Sequence, residues 1–337
     1  MSKIPRFIFK KLINKFKFSI LFLISVILSL VWLFVSNKDN DKGEKKVISP
    51  DFSSSDLVVD FLDVGKADCA VIHDDNHVII IDGGLKSSKL SVVDYIKDNV
   101  MKYKKKNINL MVLTHPHSDH YGQLADVLNA FSVNRFITPN CKVDLFDHKG
   151  YEYLMKKLNQ QRDKIKIDFI NPKSYLLSGK IDKSKESEYH FQIGRIKIDI
   201  LGPIRIDNNK TNNNSIVLKL TFKGVKFLFT GDAEKEEEKD LISSNQDLSA
   251  DVLKLGHHGS KTSSSMEFLK KVHPKFAVAS AGDHYDKVAI YPQKEVKDRL
   301  DILGIPYFVT KDLGTIRFVV TSNGELKEPQ IEKKEAA

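Results

Sequence analysis

Within six consecutive residues, His115-Pro116-His117-Ser118-Asp119-His120, the chain places three imidazoles and a carboxylate directly after the apolar run Leu110-Met111-Val112-Leu113. This juxtaposition constrains the fold more than any other feature. An apolar run that ends at a Pro-containing loop reads as a buried strand that stops and releases its next residues at the rim of a sheet. Side chains released there can converge. His-x-His puts two imidazoles on one side of an extended segment, and the Asp-His that follows can turn toward a second, neighbouring point. A polar loop that caps the next helix through Ser118 or Asp119 would account for those two residues, but not for three histidines. The cluster is expected to bind a divalent metal.

Two more strand ends repeat the pattern. Residues 216–222 and 225–229 read as a hairpin closed at Lys223-Gly224, and its second arm leads to Thr230-Gly231-Asp232. The apolar run at 252–255 releases Gly256-His257-His258-Gly259-Ser260. Upstream, segments 57–62, 69–72 and 78–81 read as successive strands, the third ending in Asp82-Gly83-Gly84. Helical spacing marks 92–102, 121–130, 151–161, 263–272 and 296–303; further strands are expected at 195–201, 276–280 and near Tyr307 and Ile316. Residues 135–200 are weakly patterned. Strands and helices alternate before and after that middle, which suggests two α/β halves packed sheet on sheet with helices outside.

Three strand ends thus carry metal-type ligands, and two divalent ions are the economical explanation. His115 and His117 are expected on one ion, Asp119, His120 and His257 on the other, and Asp232 bridges both. A set of imidazoles and carboxylates without thiolate suits Zn²⁺ or Mn²⁺. Two ions ~3.5–4 Å apart acidify a shared water and clamp the attacking and leaving oxygens, so hydrolysis of a phosphodiester, ester or amide follows. Asp119 is the expected catalytic carboxylate, orienting that water or taking its proton. His258 is expected as a hydrogen-bonding support behind the ligands, with a proton donor as the alternative. Ser260 and Lys261, ahead of a predicted helix, are expected to contact a phosphate, or else to cap that helix.

Charge adds little to this picture until it is divided. Of a net +9, residues 1–50 carry +7, so the alkaline balance is no argument for a nucleic-acid-binding face. That basic segment matters in another way. Residues 1–17 form a basic arm before an uncharged run whose apolar core, 18–35, would span about 27 Å as a helix, close to a bilayer core of ~30 Å. Positive charge stays cytoplasmic. The expectation is a single-pass helix at 18–36, a tether at 37–56, an extracytoplasmic domain at 57–325 and a free tail at 326–337. A cleaved signal peptide is the alternative, although no Ala-x-Ala-like site follows. Cys69 and Cys141 lack a Cys-x-x-Cys pattern and are assigned no redox or metal role.

Taken together, His115-x-His117-x-Asp119-His120, Thr230-Gly231-Asp232 and His257-His258-Gly259-Ser260, with 61–65 and Ile81-Asp82-Gly83-Gly84 upstream, resemble the metallo-β-lactamase superfamily. Asn212-Asn213-Asn214-Ser215 and the ending Asp312-Leu313-Gly314-Thr315-Ile316 are most similar to the hydrolase domain of ComEC-type DNA-uptake proteins. Across residues 56–320 the resemblance implies an αββα sandwich with the metals at one edge and Asp82 supporting the metal loop. It also implies a phosphodiester substrate, DNA in particular, with Asn213, Ser260 and Lys261 as contacts. The further His that the superfamily supplies near 212–215 is replaced by Asn, so the first site is expected to be weak, exchangeable or completed by substrate. The first family loop reads Gly65-Lys66-Ala67-Asp68, and Tyr291-Pro292 stands where relatives have His-Pro. With one membrane segment, the chain is not expected to form a channel. Alternatives to a membrane-anchored phosphodiesterase are a lactone, lactam or thioester hydrolase and a binding protein with an impaired metal site.

Overall fold

Val, Ile and Leu runs, which pack well on a pleated surface, build two sheets in the computed structural model, which describes residues 56–101, 107–173, 176–177, 186–282 and 290–331. The expected arm at 1–17, membrane helix at 18–36, most of the tether at 37–56 and the end of the tail lie outside the described residues. Among the described residues no helix is long and apolar enough to cross a membrane.

In chain order the strands are β1 (Leu57–Phe61), β2 (Ala70–His73), β3 (Val78–Ile81), β4 (Asn107–Ile108), β5 (Leu110–Val112), β6 (Ser132–Val133), β7 (Arg135–Pro139) and β8 (Lys166–Ile170). Then come β9 (His190–Ile193), β10 (Ile196–Gly202), β11 (Val217–Phe222), β12 (Val225–Phe229), β13 (Val252–Lys254), β14 (Phe276–Ala279), β15 (Tyr307–Val309), β16 (Ile316–Val320) and β17 (Gln330–Ile331). One large sheet runs β17-β16-β1-β2-β3-β5-β7-β8 and the other β15-β14-β13-β12-β11-β10-β9, while β4 and β6 pair in a separate two-stranded sheet.

Three apolar clusters define four layers. Val59, Phe61, Ile79 and Val112 of the first sheet meet Ile198, Leu218, Phe227 and Phe229 of the second. On its outer face the first sheet presents Val71, Ile80 and Met111 to helices Val92–Asn99, Leu124–Ala130 and His148–Asn159, through Ile96, Val127, Leu154 and Leu158. The second sheet presents Leu228, Leu253 and Ala277 to helices Lys235–Ser243, Met266–Val272 and Lys294–Leu303, through Leu241, Leu269 and Leu300. Helices outside and two sheets inside give the αββα sandwich. Each fully buried aliphatic or Phe side chain contributes ~1.5–3 kcal/mol of transfer free energy, so these interfaces hold the layers together.

Register decides where the loops emerge. β3 and β5 are parallel with Ile81 opposite Val112, so Asp82 and Thr114 leave the first sheet side by side. β12 and β13 are parallel with Phe229 opposite Lys254, so the segments that hold Asp232 and His257 leave the second sheet together.

Three differences from the sequence expectation have physical causes. The helix expected at 121–130 is two pieces, Ser118–Tyr121 and Leu124–Ala130. At the break Gly122 lies so close to the 84–86 loop that a Cβ there would stand 2.3 Å from the Lys86 backbone nitrogen, and no side chain fits. Of the two final strands expected, β15 extends the second sheet beside β14, but the strand at Ile316 does not. β16 crosses back and pairs antiparallel with β1, Asp60 opposite Arg317. Residues 326–331, expected in a free tail, continue as backbone pairing: Leu326 bridges Val320 and β17 pairs with β16.

Candidate metal centre

The strand ends after β3, β5, β12 and β13 bring five imidazoles and four carboxylates to one edge of the sandwich. Each histidine has one ring nitrogen held by the protein and the other turned inward. His120 Nδ1 donates to Asp82 Oδ2 at 2.8 Å. Asp82 Oδ1 also accepts from the Thr114 backbone N–H at 2.7 Å, so this carboxylate fixes the metal loop and the His120 ring together. Asp82 itself has φ 60°, a left-handed conformation that costs ~1–2 kcal/mol for a residue with a Cβ. His258 Nδ1 lies 3.1 Å from Asp68 Oδ1 and 2.9 Å from the Ser280 carbonyl. His117 Nε2 donates to Asp144 Oδ2 at 2.9 Å. A ring whose outer N–H is engaged keeps its inner nitrogen as a lone-pair donor.

The inward atoms form two neighbouring groups around Asp232. Ligand atoms of Asp119, His120, Asp232 and His258 all lie within 4.8 Å of one another. Asp232 Oδ1 stands 3.4 Å from His120 Nε2, and Oδ2 stands 3.7 Å from His258 Nε2. On the other side Oδ2 is 3.8 Å from His115 Nε2 and 3.8 Å from His257 Nε2. His117 Nδ1 approaches His115 Nε2 at 2.9 Å. His120 Nε2 and Asp232 Oδ1 are fully buried and have no hydrogen-bond partner among the described residues. Leaving such groups unsatisfied costs ~1–3 kcal/mol each or more for charged groups, and a divalent cation between them removes that cost. The residues present fit a metal.

The sequence expectation for the 257–258 pair differs from the geometry. His258, expected behind the ligands, belongs to the Asp119–His120–Asp232 group, and His257 lies outside that group with its Nε2 3.8 Å from Asp232 Oδ2. Its Nδ1 is 3.4 Å from Glu234 Oε1. The cause is local backbone: His257 has φ 49° and His258 φ 57°. Two successive left-handed residues swing each imidazole away from where an extended segment would aim it.

The expected substrate contacts are also placed differently. Asn213 is buried; its Oδ1 accepts from Glu234 N–H at 3.0 Å and its Nδ2 donates to Asp207 Oδ2 at 3.1 Å, so it braces the 207–215 loop. Ser260 is buried, with Oγ 3.0 Å from Thr262 Oγ1. The backbone N–H groups a phosphate there would need are taken: Lys261 N–H donates to Gln293 Oε1 at 2.8 Å and Ser263 N–H to the Ser260 carbonyl at 3.0 Å. Only the Lys261 side chain reaches solvent, 4.0 Å from Glu295.

Sequence reasoning passed over two carboxylates. Asp68 sits in the Gly65-Lys66-Ala67-Asp68 loop, where an acid at the family position was the available signal; it joins Lys254 to His258. Asp144 had no signal, being one acid in a weakly patterned loop.

This carboxylate density sets the electrostatics. Burial would strip the proton from His258, but Asp232 and Asp68 outweigh it and its imidazole is pushed up to about 9. His120 rises well above the ordinary range for the same reason, against Asp232, Asp82 and Asp119. Asp232 is held well below the carboxylate range: burial would raise it, and His258 and His120 more than reverse that. A site that gathers protons this strongly attracts any cation. His258 must lose its proton to act as a ligand, so divalent-metal affinity is expected to rise with pH from 7 toward 9. Isothermal titration in buffers of different ionisation enthalpy would register the released protons; an affinity flat across that interval would contradict the assignment.

A family model described as the metallo-beta-lactamase superfamily matches residues 62–284. ComE operon protein 3 of Bacillus subtilis (strain 168) is 28% identical over 281 residues, which cover 79% of this chain and 33% of that protein. Competence protein ComA of Neisseria gonorrhoeae is 34% identical over 139 residues, 41% of this chain and 20% of that protein. The chain spans a third or less of the length of these curated relatives. Among solved structures, Igni18, a metallo hydrolase from Ignicoccus hospitalis KIN4/I, aligns with a TM-score of 0.47 at 16% identity, covering 77% of this chain and 98% of that one.

Proposed function

This chain belongs to the metallo-β-lactamase superfamily, and on that premise we propose that it is a metal-dependent phosphodiesterase that cleaves DNA. The observation that carries the reading is the pair of buried, unpartnered atoms His120 Nε2 and Asp232 Oδ1, facing each other inside a four-residue ligand set. His115, His117 and His257 with Asp232 would hold one ion, and Asp119, His120 and His258 with the same carboxylate the other. When bound, divalent ions supply an acidified water and positive charge against a phosphate.

The chain's own residues supply the rest. Within the group Asp119, His120, Asp232 and His258, Asp119 is the accessible member: its side chain is 26% exposed, against 2% for Asp232 and 1% for His258, while His117 and His257 open the other group at 23% each. Water and substrate therefore approach at Asp119, which orients the water and takes its proton. Before an ion binds, burial would raise the Asp119 carboxyl, but His120 and His258, the latter with Nε2 3.3 Å from Asp119 Oδ2, hold it well below the usual range. Asp82, Asp68 and Asp144 keep three imidazoles from turning, so the centre loses little orientation when it loads. The competence proteins among the relatives, and the sequence resemblance to DNA-uptake proteins, support DNA as the phosphodiester. Tethering of the domain outside the cell through 18–36 is part of the same proposal and rests on the sequence alone.

The test offers the full-length chain, with added Mn²⁺ or Zn²⁺, single- and double-stranded DNA, a simple phosphodiester, a lactone and a cephalosporin. Metal-dependent cleavage of DNA or the phosphodiester is expected. Turnover of only the lactone or cephalosporin would replace this reading, and no metal uptake together with no hydrolysis would leave a binding role.

A further inference from the structure

The turn Asp144-Leu145-Phe146-Asp147 is built against the usual chemistry of turns. Asp147 N–H donates to the Asp144 carbonyl at 3.1 Å, which makes Leu145 and Phe146 its central residues, positions normally given to Pro, Gly, Asn, Asp or Ser. Both side chains stand in water, Leu145 at 90% and Phe146 at 101% exposure. They contribute nothing to the core.

The turn is nonetheless held firmly. Asp144 Oδ2 accepts from His117 Nε2 at 2.9 Å, and Asp147 Oδ1 from Ser118 N–H at 2.8 Å. Asp147 also precedes helix His148–Asn159, where a carboxylate ordinarily accepts from the helix's own first N–H groups. It makes no such cap and grips the metal loop instead. Both ends of the turn are thus tied to successive residues of that loop, and Phe146 lies within two Cα steps, ~7.6 Å, of Asp144. Exposed Lys142 and Lys149 flank the turn, and neither is in an ion pair among the described residues. The acids between them are turned to His117 and Ser118.

We propose that this turn is a stacking platform for an unpaired nucleobase of a single-stranded polynucleotide whose backbone enters the metal centre beside it. Phe146 offers a ring face, Leu145 an apolar shoulder, and Lys142 and Lys149 the charge that meets flanking phosphates. A duplex keeps its bases stacked on one another and cannot use the platform. The proposal rests on the phosphodiesterase reading above and names the form of nucleic acid the site takes.

The experiment measures anisotropy of a short labelled oligothymidylate, and of an abasic strand of equal length, with the full-length chain in EDTA, so that binding is read without cleavage. The base-bearing strand is expected to bind roughly 5- to 140-fold tighter than the abasic one, since stacking is worth ~1–3 kcal/mol per base. Phe146→Ala, at a solvent-exposed position, is expected to erase that difference; Phe146→Trp keeps it, with Trp emission quenched by the base-bearing strand. Equal binding of the two strands, or an unchanged Phe146→Ala, overturns the platform. With Trp32 replaced by Phe so that position 146 carries the sole tryptophan, a Phe146→Trp emission that moves to the blue on anionic phospholipid vesicles and ignores the oligonucleotide overturns it in favour of a membrane contact. Metal-dependent DNA cleavage with equal binding of both strands would sink the platform and spare the phosphodiesterase. Phe146-dependent binding with no metal-dependent cleavage would do the reverse.

Discussion

Asp232→Ala is expected to lower hydrolytic turnover by about a hundred- to a thousand-fold, the scale on which loss of one charge-stabilising group is felt in a buried site, while the protein keeps its fold. Asp232 is the one carboxylate that both groups of imidazoles face: Oδ1 meets His120 at 3.4 Å, and Oδ2 meets His258, His115 and His257 at 3.7, 3.8 and 3.8 Å. Without it the imidazoles lose the charge that gathers them around a cation. The fold does not depend on this side chain, because the backbone at 232 is held separately, its N–H donating to Ser215 Oγ at 3.0 Å. Asp232→Asn is expected to be equally inactive, since it keeps shape and loses charge. Turnover of a phosphodiester across a metal titration, with circular dichroism and urea unfolding alongside, checks both halves. Full turnover in either variant would remove Asp232 from the site.

The largest stability effect is expected far from the centre, at Arg317. This guanidinium is buried to 1% exposure and meets Asp60 at both ends, Nε to Oδ1 at 2.7 Å and Nη2 to Oδ2 at 2.8 Å. Tyr95 Oη donates to the same carboxylate at 2.8 Å. Breaking a buried pair by removing one partner strands the other charge, so Arg317→Met is expected to cost about 3–5 kcal/mol in urea unfolding. Asp60→Asn combined with Arg317→Met is expected to recover part of that loss, because no charge is then stranded. A double variant no better than the single one would show that packing, not charge, makes position 317 sensitive. The sign with pH follows. Burial would raise the Asp60 carboxyl, but Arg317 outweighs it and holds it well below the usual range. The contribution of the pair is therefore complete above the ordinary carboxyl value near ~3.9 and declines only as pH falls from there through the folded value. In Arg317→Met burial no longer has the guanidinium against it and raises the Asp60 carboxyl, so the gap between wild type and the variant begins to narrow above ~3.9 and goes on closing through that acidic interval.

The two halves, the sheet-on-sheet core and the strand ends that carry ligands were legible because each is a local pattern: an apolar run, then an abrupt change to His or Asp. What escaped depends on conformation or on distance along the chain. Which of His257 and His258 faces Asp119 is decided by left-handed backbone at both residues, and non-glycine positive φ leaves no mark in the sequence. Asn213 was expected at the substrate because the resemblance implies it, yet it is buried and its side chain braces the 207–215 loop. Asp144 and the pairing of β16 with β1 have partners remote in sequence, and no periodicity points to either.

The position of β16 bears on how this molecule is made. Asp60 and Arg317 are 257 positions apart, so a ribosome delivers β1 long before the segment that will zip onto its bare side. Throughout translation that edge is a template for wrong pairing, and closure waits on a contact of very high sequence separation, the kind that forms slowly. The nascent first half needs shielding until the C-terminal strand arrives.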